Sequence, residues 1–189
     1  HLPNMVLMAP KDEKELRQML CTAVDHKGPI AVRYPRSKVI GLGVQERFDK
    51  LDIGKGEVVH SSSVANGKKI LLIAIGSMVH PCIEAAQELE RQGLSLTVIN
   101  ARFVKPLDKE LIKTKAKNSD IVVTAEEGCL QGGFGSAILE LFEDEGISVP
   151  VKRIGLPDSF IEAGKRDFIL DKYGLSAKAI TSFVLKGLK

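Results

Sequence analysis

Apolar runs of strand length alternate with apolar stripes at helical spacing along most of this chain. Met5 to Met8 is the first run. Asp12 follows at a position suited to a helix N-cap, with Glu15 three residues on in the capping-box place. Leu16, Met19, Leu20, Ala23 and Val24 then recur at helical spacing, and Gly28-Pro29 stops the helix. Ile30 to Arg33 reads as a second strand. A helix between two strands implies a right-handed crossover and parallel pairing.

The same grammar resumes later. Ile70 to Ile75 is a continuous apolar strand ending at Gly76, and Val79, Cys82, Ile83, Ala86 and Leu89 form a helical stripe closed near Gly93. Leu96 to Ile99, Ile121 to Ala125 and Val149 to Ile154 are further strands. Helices are expected over Leu107 to Lys117, entered through Pro106 and Asp108, and over Ser136 to Glu145. Two helical pieces close the chain, the second capped by Ser176. This alternation predicts an α/β fold, a doubly wound and mostly parallel sheet, preceded by a partial α/β unit. The partial unit is too small to cover a parallel sheet on both faces. Its missing strands are expected from upstream of His1 or from a partner. Residues 37–56, irregular and carrying four glycines, read as the link between the units.

Composition narrows the classes. Of 189 residues, 44% are hydrophobic and 27% charged, which suits a packed core. The net charge of +3 is mild, Trp is absent and only two Tyr occur, so nucleic-acid binding is not expected. No apolar run is long enough for a membrane span, and no signal peptide is legible at the start. Three cysteines, Cys21, Cys82 and Cys129, are odd in number and far apart, which suits reduced thiols in the cytoplasm. His80 and Cys82 lie close, but nothing completes a metal-ligand set.

Candidate chemistry concentrates in three places. Ala31 to Arg36 is a strand end with two guanidiniums, Arg33 and Arg36. Such ends are where ligands bind in open α/β sheets, and arginine grips phosphate or carboxylate with a bidentate fork. The competing reading is a pair of surface arginines matched with nearby carboxylates. Glu126-Glu127-Gly128 and the loop Gly132 to Ser136 lie between a strand and a helix. Phosphate cradling is one reading, but Ile138 breaks the dinucleotide fingerprint and Arg153 stands where an acidic ribose ligand belongs. The two glutamates could act as an acid/base pair; serving the helix start or pairing with basic side chains is favoured. Ser77 is a possible helix cap, and His80 a possible ligand contact in the first turn.

These segments together resemble the 1-deoxy-D-xylulose-5-phosphate synthase family of transketolase-like enzymes. The resemblance rests on Leu2 to Pro10 with Asp12-Glu13, Glu15 to Leu20, Gly28 to Arg36, Ile53 to Gly56, Ala74 to Gly76, Glu126-Glu127 with Gly132 to Ser136, and above all Asn100 to Asp108 and Ile154 to Asp158. It implies the last strand–helix–strand of a pyrimidine-binding domain over residues 1–40, a linker over 41–56 and a transketolase C-terminal domain over 57–189. It implies a whole enzyme that condenses pyruvate with glyceraldehyde 3-phosphate, losing carbon dioxide, to give a precursor of isoprenoids and thiamine. Thiamine diphosphate and magnesium would be held by upstream parts of the same polypeptide, with neither bound to this chain. No catalytic, cofactor or metal residue falls on this chain. The family's phosphate-gripping arginine falls on Arg36. Ser37 stands where the family usually has glycine, which puts strain there if the backbone needs positive φ. A cytoplasmic homodimer is implied, and the chain alone is expected to be inactive. Two other readings stay open: the C-terminal domain of another transketolase or 2-oxoacid dehydrogenase β subunit, and a stand-alone α/β interaction module.

Overall fold

The computed structural model describes residues 2–42 and 49–188. Gly43 to Phe48 of the expected linker fall outside the described residues.

The larger of two sheets has five strands in the order β3-β5-β4-β7-β8. They are β3 (Glu57–Ser61), β4 (Lys69–Ala74), β5 (Ser95–Asn100), β7 (Ile121–Cys129) and β8 (Val151–Leu156). β5, β4, β7 and β8 run parallel; β3 closes one edge antiparallel to β5. Side chains alternate across the strands, so both faces need cover. Ile70, Leu72 and Ala74 pack with α2 (Val79–Arg91) and α6 (Ala177–Gly187). Leu71, Ile73 and Val122 pack with α3 (Lys109–Ala116) and α4 (Phe134–Asp144). Helices on both faces of a mostly parallel sheet make this the doubly wound fold that the sequence predicts. A short helix, α5 (Arg166–Lys172), precedes α6.

The smaller sheet has three strands in the order β2-β1-β6. β1 (Val6–Met8) and β2 (Ile30–Val32) run parallel, joined by α1 (Glu13–Asp25). The Asp12 side chain caps α1 by accepting from the Glu15 amide at 2.8 Å. β6 (Phe103–Lys105) pairs antiparallel with β1. The sequence reading looks for every missing strand outside the chain; one of them comes from inside it. Two residues make the crossing between sheets, because Asn100 ends β5 and Phe103 begins β6. Arg102 takes φ 58° to turn that corner, a region rarely used by residues other than glycine. Its carbonyl accepts from Ala9 at 2.9 Å, which fixes the corner to the end of β1.

The other predicted elements form within a few residues of their expected bounds. β3 and β6 have no counterpart in the sequence reading, and β7 continues through Glu126 and Glu127, past the apolar run that announces it.

Candidate functional site

Segments leaving the carboxyl ends of β1, β2 and β4 enclose a cavity of about 650 Å³. That volume suits a small organic ligand, and the position is the usual one for ligands in open α/β sheets. Its wall carries Lys11, Arg36, Lys38, His80 and Arg166, balanced by Asp12, Glu13 and Glu84. The carboxylates are largely committed. Glu13 accepts from the amides of Gly41 and Leu42 at 2.6 Å each and from Ile40 at 3.2 Å. These amides, Leu42 foremost, hold its carboxyl below the ordinary range, and in turn they pin the far end of the loop that carries Arg36.

Asp12 faces the same cavity. Burial pushes its carboxyl up. The His80 imidazole, 3.8 Å away and too distant for a hydrogen bond, outweighs burial together with the Glu15 amide and Lys11, leaving it lowered. Ser77 does not cap α2. Its hydroxyl donates instead to the Glu127 carboxylate.

The structure separates the two candidate arginines. Arg36 lines the large cavity and is exposed. Arg33 turns away and donates through Nη2 to the Glu127 carbonyl, which ties the end of β2 to the end of β7. The Glu127 carboxylate also accepts from Arg166 Nη2 at 2.5 Å. Ser37 is not among the residues with positive φ, so the strain expected there does not arise.

Glu126 and Glu127 do not form an acid/base pair. Glu126 is buried and accepts the amides of Phe134 and Gly135, both at 2.8 Å, one on each carboxylate oxygen. It therefore caps α4 and complements the helix dipole. The Gly132 to Ser136 loop closes around this carboxylate: a Cβ on Gly133 would collide with it and with the Cys129 carbonyl. Arg153 donates to the Leu130 carbonyl at 2.7 Å and to Ser136 Oγ at 2.9 Å. This loop is thus structural. A diphosphate does not fit at the start of α4, because a carboxylate already takes its amides. Among the described residues no group of three or more His, Cys, Asp and Glu side chains is arranged to hold a metal ion. The Cys82 thiol is pushed up to about 12 by burial, so it stays protonated and unreactive.

Sequence reasoning missed one cluster. Glu15 is 1% exposed, and its carboxylate accepts from the Lys11 amide at 2.7 Å, Asn100 Nδ2 at 2.8 Å and Arg102 Nε at 2.8 Å. Arg102 Nη2 reaches on to Glu57. The capping-box spacing singled out Glu15, but its partners lie 85 and 87 residues away.

The family model "Transketolase, C-terminal domain" matches residues 60–180. The chain belongs to the transketolase C-terminal domain family. It is 49% identical to "1-deoxy-D-xylulose-5-phosphate synthase 1" of Geobacter sulfurreducens over 99% of this chain and 30% of that protein. It is 50% identical to "1-deoxy-D-xylulose-5-phosphate synthase" of a Cyanothece species over 97% of this chain and 29% of that protein. The chain thus spans about 30% of the length of these curated relatives and corresponds to a C-terminal portion. Among solved structures, "Split gene transketolase, inactive beta4 tetramer" is 34% identical with a TM-score of 0.83, over 98% of this chain and 58% of that one. A transketolase from Campylobacter jejuni shares the fold at 22% identity and a TM-score of 0.68, over 97% of this chain and 26% of that one.

Proposed function

We propose that this chain is the C-terminal part of a 1-deoxy-D-xylulose-5-phosphate synthase. The whole enzyme would condense pyruvate with glyceraldehyde 3-phosphate, release carbon dioxide, and act as a cytoplasmic homodimer. Residues 1–40 would complete its pyrimidine-binding domain, 41–56 would link, and 57–189 would form the C-terminal domain. The observation that carries this reading is identity near 49% along the whole chain to proteins of that name. The split transketolase, at 34%, is more distant and leaves the transketolase reading second.

Thiamine diphosphate and magnesium would bind upstream parts of the polypeptide. This chain's contribution would be Arg36, gripping the phosphate of the aldehyde substrate from the loop after β2. A guanidinium fork matches a phosphate dianion, and the Glu13 contacts pre-order the loop that bears it.

The chain by itself, given pyruvate, glyceraldehyde 3-phosphate, thiamine diphosphate and magnesium, is expected to give no product. Turnover by the chain alone would overturn the division of labour. In the longer polypeptide, Arg36→Gln should raise KM for glyceraldehyde 3-phosphate about tenfold to a hundredfold, the scale of one charge-assisted contact. The KM for pyruvate should hold. An equal effect on both substrates would remove Arg36 from the phosphate site.

A further inference from the structure

Asparagine occurs four times in the chain, and only Asn66 is followed by glycine. Asn66 is exposed in the turn between β3 and β4. It takes φ 58°, the left-handed region that asparagine and aspartate enter more readily than most residues. The Gly67 amide closes the turn by donating to the Val64 carbonyl at 3.0 Å. Ser95, at the start of β5, holds the same turn. Its hydroxyl accepts from the Val64 amide at 2.9 Å and donates to the Val64 carbonyl at 3.2 Å, and its own amide donates to the Lys68 carbonyl at 2.9 Å. Packing dictates the glycine. A Cβ at position 67 would lie 2.6 Å from the Gly93 carbonyl oxygen, a backbone atom that cannot swing aside. The fold therefore keeps an exposed asparagine ahead of a glycine, whose nitrogen has no side chain to shield it.

We propose that Asn66–Gly67 is a site of spontaneous main-chain modification, at which asparagine becomes isoaspartate through a succinimide. The Gly67 nitrogen bonds to Asn66 Cγ, the Cγ–Nδ2 bond breaks, and the Gly67 amide proton leaves with the side-chain nitrogen as ammonia. Water then opens the ring. Cleavage at Cγ gives aspartate. Cleavage at the main-chain carbonyl carbon gives isoaspartate, whose backbone runs through the former side chain and is one carbon longer. Water is the sole co-reactant. The Gly67 nitrogen attacks when its bond to Val64 is broken, so the reaction samples openings of the turn. Aspartate keeps the main chain and re-enters the turn at φ 58°. Isoaspartate does not fit. Its extra carbon pushes on Gly67, which the Gly93 carbonyl leaves no room to move. The loosening passes to β3, an edge strand held by its pairing with β5.

The test is peptide mapping by mass spectrometry on the 189-residue chain, aged while folded at mildly alkaline pH. Trypsin should release the peptide Gly56 to Lys68. The expected result is loss of its side-chain amide, with the product split between aspartate and a larger share of isoaspartate, the latter confirmed by labelling with an isoaspartyl methyltransferase. Asn4 and Asn118 are also exposed, but Met5 and Ser119 follow them, so they should lag. The chain unfolded in urea should convert about fivefold faster or more, the factor for one turn hydrogen bond. Hydrogen exchange on the aged chain should show lost protection in β3 and unchanged protection in β4. Asn66→Asp carries the charge without the extra carbon and should match the fresh parent in β3. An Asn66 that is still an amide when Asn118 has converted, or that stays an amide throughout ageing, overturns the proposal. So does a product that is aspartate alone, because a succinimide opens both ways. Equal rates in the folded and unfolded chain would show that the turn does not restrain Asn66. Unchanged β3 exchange in chains that carry isoaspartate would overturn the loosening of the edge strand.

Discussion

The two sheets of this chain are held by different forces. The five-stranded sheet is sealed on both faces by apolar clusters that reach into five helices. The three-stranded sheet has a buried apolar core of just Val6, Met8, Met19 and Phe103 among the described residues. Beyond the apolar contact of Ala9 and Val104 with the larger sheet's cluster, what joins it to the larger sheet is polar: Glu15 with Asn100 and Arg102, and Arg33 with the Glu127 carbonyl. Apolar burial grows with area and tolerates small errors. A buried charge network depends on every partner being present. The small sheet should therefore open on its own while the large one stays closed, and the cavity lies along the seam between them.

The sharpest way to break that seam is Glu15→Ala. It leaves Arg102 Nε and the Asn100 Nδ2 amide without an acceptor, while Arg102 Nη2 keeps Glu57. A cost of about 3–5 kcal/mol is expected, as for a buried pair that loses one member. Hydrogen exchange should show β1, β2 and α1 losing protection while β4 and β7 keep theirs. Uniform loss across both sheets would show one cooperative unit instead.

Core truncations should then separate the sheets by place. Leu72→Ala and Met19→Ala each remove a fully buried side chain, at about 2–5 kcal/mol. Leu72→Ala should lower the midpoint of the whole molecule in urea. Met19→Ala should mainly speed exchange in the small sheet. If both shift the same global transition and nothing else, the two regions are not distinct.

This difference also explains what the sequence reveals. Every strand of the large sheet buried on both faces is a visible apolar run, as in Ile70 to Ile75, because burial dictates its composition. β3 hides because it is an edge: Glu57-Val-Val-His-Ser mixes charge into the strand, and all but Ser61 are half-buried. β6 hides because it is three residues long and exists through its pairing with β1. Short motifs disclosed local bonds. The Asp12 cap and the α4 start at Glu126 both follow from spacing within one turn or loop. The remote partners of Glu15, and the meeting of Arg36, His80 and Arg166 at one cavity, depend on how the segments that follow β1, β2, β4 and β8 converge from two sheets. No local periodicity encodes that.

Within the large sheet, Glu126→Gln tests whether the Gly-rich loop is structural. The substitution keeps one acceptor for the two amides and removes the charge at the helix start. About 1–2 kcal/mol should be lost, the scale of a helix cap. Fluorescence or circular dichroism during urea unfolding would read it. A neutral result would mean that the loop glycines, rather than the carboxylate, set the α4 start.

The smallest effect belongs to the seam and depends on pH. Asp12 has a lowered carboxyl pKa in the folded chain. A carboxyl that is lowered on folding stabilises the protein above its unfolded pKa, and that contribution disappears as pH falls through the folded value. The parent chain should therefore lose stability from about pH 4 downward, where an ordinary aspartate begins to protonate. Asp12→Asn keeps an acceptor for the Glu15 amide, so the α1 cap survives, but it cannot titrate. Its stability should lie below the parent's near neutral pH and approach it in acid, with the difference concentrated in exchange of the small-sheet amides. Curves that stay parallel down to about pH 2 would show that the charge of Asp12, set between His80 and Lys11, contributes nothing to holding the cavity wall in place.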